Sequence, residues 1–276
     1  MQLFIQLTVY EKVVTILRQK IQPAKALKAA IVVLGLFVLQ QLVAGTGILV
    51  ANQFSYTRID PDGQFMWISV HHIVQLVISL ALIWLLASVW GIDFGLRLGN
   101  VRAGLRAMGW FFAVFIFYTV GAYAVMLLLG GAPTYAFPLT ARNVLGTLGF
   151  QLLLSGPGEE LLFRALPICV MWHLLGKGRL IGFGSSPKRR PYRRPGLEVY
   201  GAGIVAAVLF SVAHMNWSLS PFTLSYDAFQ LVYAFVLGIV YAQTYERTGS
   251  VLYPMIIHSM ANVLMVGGGY LCSVIL

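Results

Sequence analysis

The stretch from Gly156 to Arg164 reads GPGEELLFR and lies within an apolar run that extends from Val144 to Leu175. It places three ionisable side chains, Glu159, Glu160 and Arg164, among residues typical of a membrane span or a protein interior. A charged group at the centre of a membrane span costs roughly 2.5–3.5 kcal/mol on insertion scales. Such groups face a partner or a water-filled cavity, so this stretch is a candidate functional site.

The composition of the whole chain is that of a polytopic membrane protein. Of its 276 residues, 59% are hydrophobic and only 10% are charged, whereas soluble domains carry about 25% charged residues. The net charge of +10 comes largely from basic residues that flank apolar segments, which is typical of cytoplasmic membrane loops. We therefore expect no nucleic-acid partner, and we expect anionic lipid head groups at the basic loops.

Hydropathy predicts an all-α fold, a polytopic transmembrane helical bundle. The run from Val144 to Leu175 would extend roughly 48 Å as one helix, against a hydrocarbon core of about 30 Å. Gly156-Pro157-Gly158 predicts a break in that run, with Pro157 in the first turn of a new helix and Ser155 as its cap. The spans number about seven, or eight if this run crosses twice, and lie near residues 29–51, 66–89, 107–129, 144–175, 199–217, 229–245 and 251–275.

The pattern of charge divides and orients the chain. We expect an amphipathic interfacial segment at 1–26, N-terminal spans at 27–140 and a functional core at 141–276. Basic residues are frequent in the first segment and in the loops 91–106 and 176–198, and they are rare in the loops between. The positive-inside rule therefore predicts an integral membrane protein with a cytoplasmic N-terminus.

Helical spacing groups the polar residues of the core into three motifs. Residues four apart share a helix face, so Glu160 and Arg164 are expected to pair. Glu159 is turned about 100° away and is free to face another partner. The two further motifs are Phe210 with His214, in the predicted fifth span, and His258 with Asn262, in the last span.

These residue types suit the hydrolysis of an amide bond. Such a reaction needs a base to activate water and donors for the developing oxyanion, in a pocket shielded from bulk water. Glu159 with His214 can activate water, and His258 with Asn262 can donate to an oxyanion. Each motif alone is also typical of a structural contact between helices, and Phe210 of packing. Three motifs on separate spans favour catalysis.

Three other histidines are assigned to no chemistry. His71 and His72 lie near the outer end of the second predicted span, where interfacial polar side chains are common. His173 follows Trp172 near a predicted cytoplasmic end. We interpret all three as structural or interfacial residues.

The three motifs, in this order on apolar segments, resemble those of the CPBP family of intramembrane proteases. That family includes CAAX prenyl endopeptidases, bacteriocin-processing or immunity proteins and the Abi proteins. The resemblance covers about residues 155–265 and implies an endopeptidase that cleaves a membrane-associated protein or peptide. It also implies a location in the membrane, which we expect to be the bacterial cytoplasmic membrane.

The resemblance implies a role for each motif residue. Glu159 would be the general base, and His214 would help to hold the nucleophilic water. The other residues would be Glu160 and Arg164, which shape the site or bind the peptide backbone, His258 and Asn262, which form the oxyanion hole, and Phe210, which supports them.

The resemblance leaves the question of a metal open, because the family has been described both as metalloproteases and as metal-independent glutamate proteases. Glu159, His214 and His258 would form a zinc set with an open position. We favour catalysis without a cofactor. The H-E-x-x-H zinc signature is absent, and Asn262 is a poor zinc ligand but a good oxyanion donor.

Two other functions compete with the protease interpretation. A non-catalytic membrane scaffold or immunity protein of this kind would keep the fold and bind partners without cleaving them. A proton-coupled transporter could use Glu159, Glu160 and the histidines as a relay, with the predicted break as a discontinuous helix. The chain carries no second broken span of the kind that transporter repeats contain.

Overall fold

The structure, a computed structural model, describes residues 23–176, 201–219 and 221–275. Most of the predicted interfacial segment and nearly all of the basic loop 176–198 lie outside the described residues. The predictions on the interfacial helix, on anionic lipid and on the cytoplasmic N-terminus therefore stay predictions.

The described residues form a helical bundle with one small hairpin. Five of the helices are long and apolar enough to cross a membrane, which confirms the predicted fold class: Pro23–Ala51, Met66–Trp90, Val101–Leu128, Ala228–Thr248 and Leu252–Ile275. In chain order the elements are α1 (Pro23–Ala51), α2 (Met66–Trp90), α3 (Val101–Leu128), α4 (Ala141–Phe150), α5 (Gly156–Glu160), α6 (Leu166–Leu175), α7 (Gly201–Val212), β1 (Asn216–Leu219), β2 (Phe222–Ser225), α8 (Ala228–Thr248) and α9 (Leu252–Ile275).

The structure corrects several predicted boundaries. Helix α1 already includes Pro23, the first described residue, whereas the prediction began near residue 29, and α3 begins at Val101 rather than near residue 107. Within the predicted span 199–217, helix α7 ends at Val212, and the chain then turns into the antiparallel β1–β2 hairpin. Strands of four residues are too short to give a clear periodic pattern, so the sequence did not predict this hairpin.

The chain from Ala141 to Leu175 follows one continuous helical path, which we call the Glu159 helix. Two π-helical turns, Gln151–Ser155 and Leu161–Ala165, join α4, α5 and α6. Ser155 has helical angles (φ −59°, ψ −59°) and makes no side-chain cap. The predicted break at Gly156-Pro157-Gly158 and the predicted cap at Ser155 are therefore wrong, and the run counts once.

Two prolines explain why this helix widens without breaking. Pro157 and Pro167 each follow a π-helical turn with one residue between. A proline ring collides with the carbonyl group four residues earlier and offers it no N–H. The wider π-helical turn relieves that collision, and such turns are frequent at functional sites. Glu159 and Glu160 lie between the two turns.

The carbonyl groups that Pro167 leaves without an N–H bind side chains instead. Gln40 of α1, a buried residue, donates from Nε2 to the Leu162 carbonyl oxygen at 3.2 Å. Arg164 donates from Nη1 to the Phe163 carbonyl oxygen, also at 3.2 Å. The irregular turn thus fixes α1 and the Arg164 side chain against the Glu159 helix.

Gly156 and Gly158 allow neighbouring helices to approach the Glu159 helix closely. A Cβ at Gly156 would overlap the Met255 carbonyl oxygen and the Ser259 hydroxyl of α9. A Cβ at Gly158 would stand 3.3 Å from the carbonyl oxygen of His72 on α2. Small residues permit such contacts between membrane helices. The Glu159 helix is therefore held between α9 and α2.

Asp60 fixes the start of α2. Its carboxylate accepts backbone hydrogen bonds from Gln64 at 2.9 Å, Phe65 at 2.7 Å and Met66 at 2.8 Å. Burial raises the pKa of the Asp60 carboxyl, but the N–H donors together lower that pKa by more than burial raises it. The pKa of Asp60 therefore lies below its ordinary value. The helix dipole also favours an anion at this end.

Alanine at Gly156 is expected to lower the stability of the protein in detergent by roughly 1–3 kcal/mol, because the added methyl group overpacks the contact with α9. The matched control is Gly149→Ala in the same helix, where nothing lies within 4 Å of an added Cβ. The control is expected to retain or gain stability, since alanine favours a helix by about 1 kcal/mol over glycine. Thermal melting followed by circular dichroism compares the two, and equal melting temperatures would contradict the close contact at Gly156.

Candidate active site

Glu160 and Arg164 form the ion pair that their spacing predicts. The Glu160 Oε2 and Arg164 Nε atoms are 3.3 Å apart, and both side chains have 0% exposure. The Arg164 guanidinium carbon lies 4.2 Å from the centre of the Phe210 ring and 5.5 Å from that of Tyr241. Two charges so fully removed from water depend on each other, because either one alone would be an uncompensated buried charge.

His258 of α9 is oriented by this pair. Its Nδ1 lies 2.8 Å from Glu160 Oε1, and its ring stacks on Tyr241 with centres 5.0 Å apart. Because Glu160 is ionised against Arg164, its oxygen accepts and His258 Nδ1 carries the hydrogen. A carboxylate that holds one ring nitrogen in this way presents the other nitrogen to the site. That other nitrogen, Nε2, lies 3.7 Å from Glu159 Oε2.

Glu159 faces a different set of partners from Glu160, as its position one residue earlier on the helix predicts. Its side chain is 18% exposed, whereas that of Glu160 is fully buried. Glu159 Oε1 lies 2.9 Å from His72 Nε2, and Oε2 faces His258. Of the two carboxylates, Glu159 is therefore the one that a water molecule or a substrate can reach.

His72 is a site residue that the sequence interpretation missed. It lies on α2, is buried, and packs edge-on against Phe150 with ring centres 4.8 Å apart. Its assignment as an interfacial residue is wrong, because its imidazole contacts Glu159 directly. The signal that could have found it is its place in an apolar span, where an ionisable residue is functional by default. His71 next to it stacks on Trp67 instead.

His214 lies just past the end of α7, in a turn, rather than within a helical span as predicted. Its Nδ1 is 2.8 Å from the Phe210 carbonyl oxygen. A carbonyl oxygen only accepts, so Nδ1 carries a hydrogen, and in the neutral form of the ring Nε2 keeps a lone pair. No hydrogen bond joins His214 to Glu159 within the described ranges, although both line the same two cavities.

Phe210 supports the site as an aromatic wall. Its ring meets the imidazole of His214 edge-on at 4.8 Å and that of His258 at 5.8 Å between centres. It also packs against Phe163, at 5.5 Å, and under the Arg164 guanidinium. One phenyl ring thus limits the movement of two imidazoles and the buried cation.

Asn262 lies one helical turn after His258 on α9 and is tied to the Glu159 helix. Its Nδ2 donates to Ser155 Oγ at 2.8 Å. This bond fixes the amide plane and uses one of its two N–H groups. His258 and Asn262 line the same cavity, so the structure brings together the two residues that were predicted to form an oxyanion hole.

Two cavities meet at Glu159. One, of about 380 Å³, we call the α2 cavity; the other, of about 290 Å³, we call the α9 cavity. Glu159, Phe210 and His214 border both. The α2 cavity is also lined by Gln40, Gln75, His71, His72, Asn216 and Trp217, and the α9 cavity by Phe229, Tyr233, Leu237, Tyr241, His258 and Asn262.

The side chains of the alternative zinc set do not fit a metal ion as they are arranged. No group of three or more His, Cys, Asp or Glu side chains in residues 23–176, 201–219 and 221–275 has the arrangement of a metal site. One nitrogen of His258 is occupied by Glu160, and one oxygen of Glu159 by His72. These contacts leave His258 Nε2 and Glu159 Oε2 as the atoms that face the site.

Replacing Arg164 with methionine is expected to destabilise the protein by about 3–5 kcal/mol, because Glu160 is left as an unpaired buried charge. The double variant Glu160→Gln/Arg164→Met is expected to recover most of this loss. The control, Arg97→Met, breaks an exposed pair with Asp93 and is expected to cost about 0–1 kcal/mol. Thermal melting in detergent measures all three, and a double variant as unstable as the single one would contradict the charge-pairing explanation.

Comparison with known proteins identifies the core of the chain. Residues 141–264 match the family model described as type II CAAX prenyl endopeptidase Rce1-like. No curated protein and no solved structure matches the chain. The matched segment contains all the motif residues, and His72 lies outside it. Together with its apolar helices, this match supports an integral membrane protein whose core, residues 141–264, is similar to Rce1-like CAAX proteases, as the resemblance to CPBP proteases predicted.

Proposed function

We propose that this protein is an intramembrane endopeptidase in which Glu159 activates water against a peptide bond of a membrane-associated protein or peptide. The observation that carries the proposal is the position of Glu159, a partly accessible carboxylate at the junction of two cavities. Imidazoles contact both of its oxygens, and a fixed amide lies on the neighbouring helix. The family match supports the same type of reaction.

The two cavities suit an extended peptide that passes over Glu159 from one cavity into the other. The α2 cavity offers amide and imidazole groups, from Gln40, Gln75 and His71, to the polar groups of a substrate. The α9 cavity offers aromatic and aliphatic walls, from Phe229 and Leu237, to an apolar group. Binding sites commonly combine apolar walls with a few polar groups that fix orientation. The scissile bond would lie between the two cavities.

In the first step, water adds to the carbonyl carbon of the substrate. Glu159 takes a proton from the water while His214 Nε2, the ring nitrogen with the free lone pair, accepts its other hydrogen and holds it in place. The new C–O bond forms as the carbonyl π electrons move onto oxygen. His258 from Nε2 and Asn262 from its second N–H donate to this oxyanion, which is a strong contribution in a shielded pocket. For this donation His258 must carry a hydrogen on both ring nitrogens, because its Nδ1–H is already used by Glu160.

In the second step, the tetrahedral intermediate collapses and the C–N bond breaks. The proton held by Glu159 passes to the leaving nitrogen, so that one acid and one amine result from one water and one amide. Glu159 returns to its carboxylate form. Glu160 and Arg164 act in neither proton transfer; their role is to hold His258 in the orientation that the oxyanion requires.

Replacing Glu159 with glutamine is expected to reduce hydrolysis by roughly 10²–10⁴-fold, because the base is lost while the shape is kept. The probe is a synthetic peptide that ends in a CAAX sequence, with and without a farnesyl group on its cysteine, incubated with the protein in liposomes. Mass spectrometry of the products gives the rate and the cleaved bond.

The control for this variant is Asp93→Asn, which neutralises an exposed carboxylate outside both cavities and is expected to keep the activity of the natural protein. Equal hydrolysis by the Glu159→Gln variant would contradict the assignment of the base. The protein would be a scaffold rather than a protease if it cleaves neither peptide and if its expression produces no new N- or C-termini among the membrane proteins of the cell.

We also propose that the reaction needs no metal, since the described His, Cys, Asp and Glu side chains include no group of three arranged to hold one. Purified protein is expected to contain far less than one zinc per chain by elemental analysis, and to keep its hydrolysis rate after dialysis against a chelator. Stoichiometric zinc that is lost in a His214→Ala variant would overturn this proposal.

A further inference from the structure

Of the ionisable side chains that the structure describes, His72 makes the shortest contact to Glu159, yet it belongs to none of the three motifs. The His72 Nε2 and Glu159 Oε1 atoms are 2.9 Å apart, while His258 Nε2 is 3.7 Å from the other oxygen. His72 lies on α2, outside the segment 141–264 that matches the family. The protein thus supplies a partner for its candidate base from the N-terminal half of the chain.

The second ring nitrogen of His72 determines where the hydrogen atoms lie. Nδ1 is 2.9 Å from the Ile68 carbonyl oxygen, one turn earlier on α2. Because a carbonyl oxygen only accepts, Nδ1 carries a hydrogen. In a neutral ring Nε2 would then carry only a lone pair, which would face the lone pairs of a carboxylate oxygen and could not form a hydrogen bond. The short contact requires one further proton between His72 and Glu159, and a base that is ready to react requires that proton on the imidazole.

We propose that His72 is a positioning residue for Glu159: as an imidazolium it donates from Nε2 to Oε1, holding the carboxylate ionised with Oε2 turned toward the water. This inference rests on the proposed function. The geometry that supports it is rigid. The His72 ring is fixed by the Ile68 carbonyl and by the edge of Phe150, and the backbone of α2 is pressed against Gly158.

The same arrangement explains why His72 does not act as the base. Its two nitrogens are both occupied, one by Ile68 and one by Glu159, so neither can accept a proton from water. His214 differs in this respect, because its Nε2 has no such partner among residues 23–176, 201–219 and 221–275. Within the described residues the two imidazoles therefore have separate tasks, one on the carboxylate and one on the water.

Replacing His72 with phenylalanine is expected to lower kcat for the CAAX peptide by about 10- to 100-fold, the usual loss when a partner that orients a reacting group is removed. KM is expected to stay within about twofold, because His72 is not assigned to substrate binding. His72→Gln is expected to restore much of kcat, since the glutamine Nε2–H can donate to Oε1 from a similar position. If the loss in His72→Phe came from altered packing of the ring and not from the lost hydrogen bond, His72→Gln would not restore kcat.

The matched control is His173→Phe, which replaces a histidine that stacks on Trp90 and lies outside both cavities. It is expected to keep kcat and KM. Melting temperatures of all variants exclude misfolding as the cause of a loss. A His72→Phe protein that is folded and keeps kcat within about twofold would overturn the proposal, as would a His72→Gln protein no more active than His72→Phe.

A second measurement tests the pair without any substrate. The chain has five histidines, so ring-¹⁵N labelling gives a small set of signals, and the His72→Gln spectrum identifies those of His72. We expect an imidazolium signal for His72 that is lost or shifted in Glu159→Gln. A neutral ring that is unaffected by Glu159→Gln would overturn the inference. If the natural protein cleaves no peptide but this signal is present, the proposed function fails while the His72–Glu159 contact stands.

Discussion

The buried charges of Glu160 and Arg164 are the constraint on which the rest of the site depends. Neither side chain is exposed, so no water molecule or lipid head group can take the place of the partner charge. Their pairing leaves Glu160 Oε1 free to hold His258, and the Arg164 guanidinium lies against the Phe210 ring. One desolvated pair thereby orients an imidazole from α9 and an aromatic side chain from α7. The accessible carboxylate, Glu159, is next to this pair in the chain but outside it.

The irregular backbone of the Glu159 helix is what allows so many helices to meet at one place. The π-helical turns before Pro157 and Pro167 free carbonyl groups, and Gln40 and Arg164 bind the ones near Pro167. The glycines between the turns remove the side chains that would keep α9 and α2 at a distance. Gly156-Pro157-Gly158, which is typical of a helix break, is therefore the place where α9 and α2 pack against a continuous helix.

The family match extends over residues 141–264, but the site extends beyond it. His72 and half of the residues that line the α2 cavity belong to α1 and α2, and Asp60 fixes where α2 begins. The N-terminal helices are therefore part of the candidate active site, and more than a membrane anchor for it. A variant survey limited to the motif residues would overlook this half of the pocket.

The sequence was sufficient for features that depend on composition and helical period. Apolar length gave the bundle of membrane helices, and a spacing of four residues gave the Glu160–Arg164 pair and the separate direction of Glu159. Contacts between distant segments could not be predicted in this way. The cavity around Glu159, the direct partner His72, the place of His214 beyond α7 and the continuous path through Pro157 arise when helices pack. Helical periodicity predicts which face of a helix a residue lies on. Which side chain it contacts there depends on the packing of helices that are far apart in sequence.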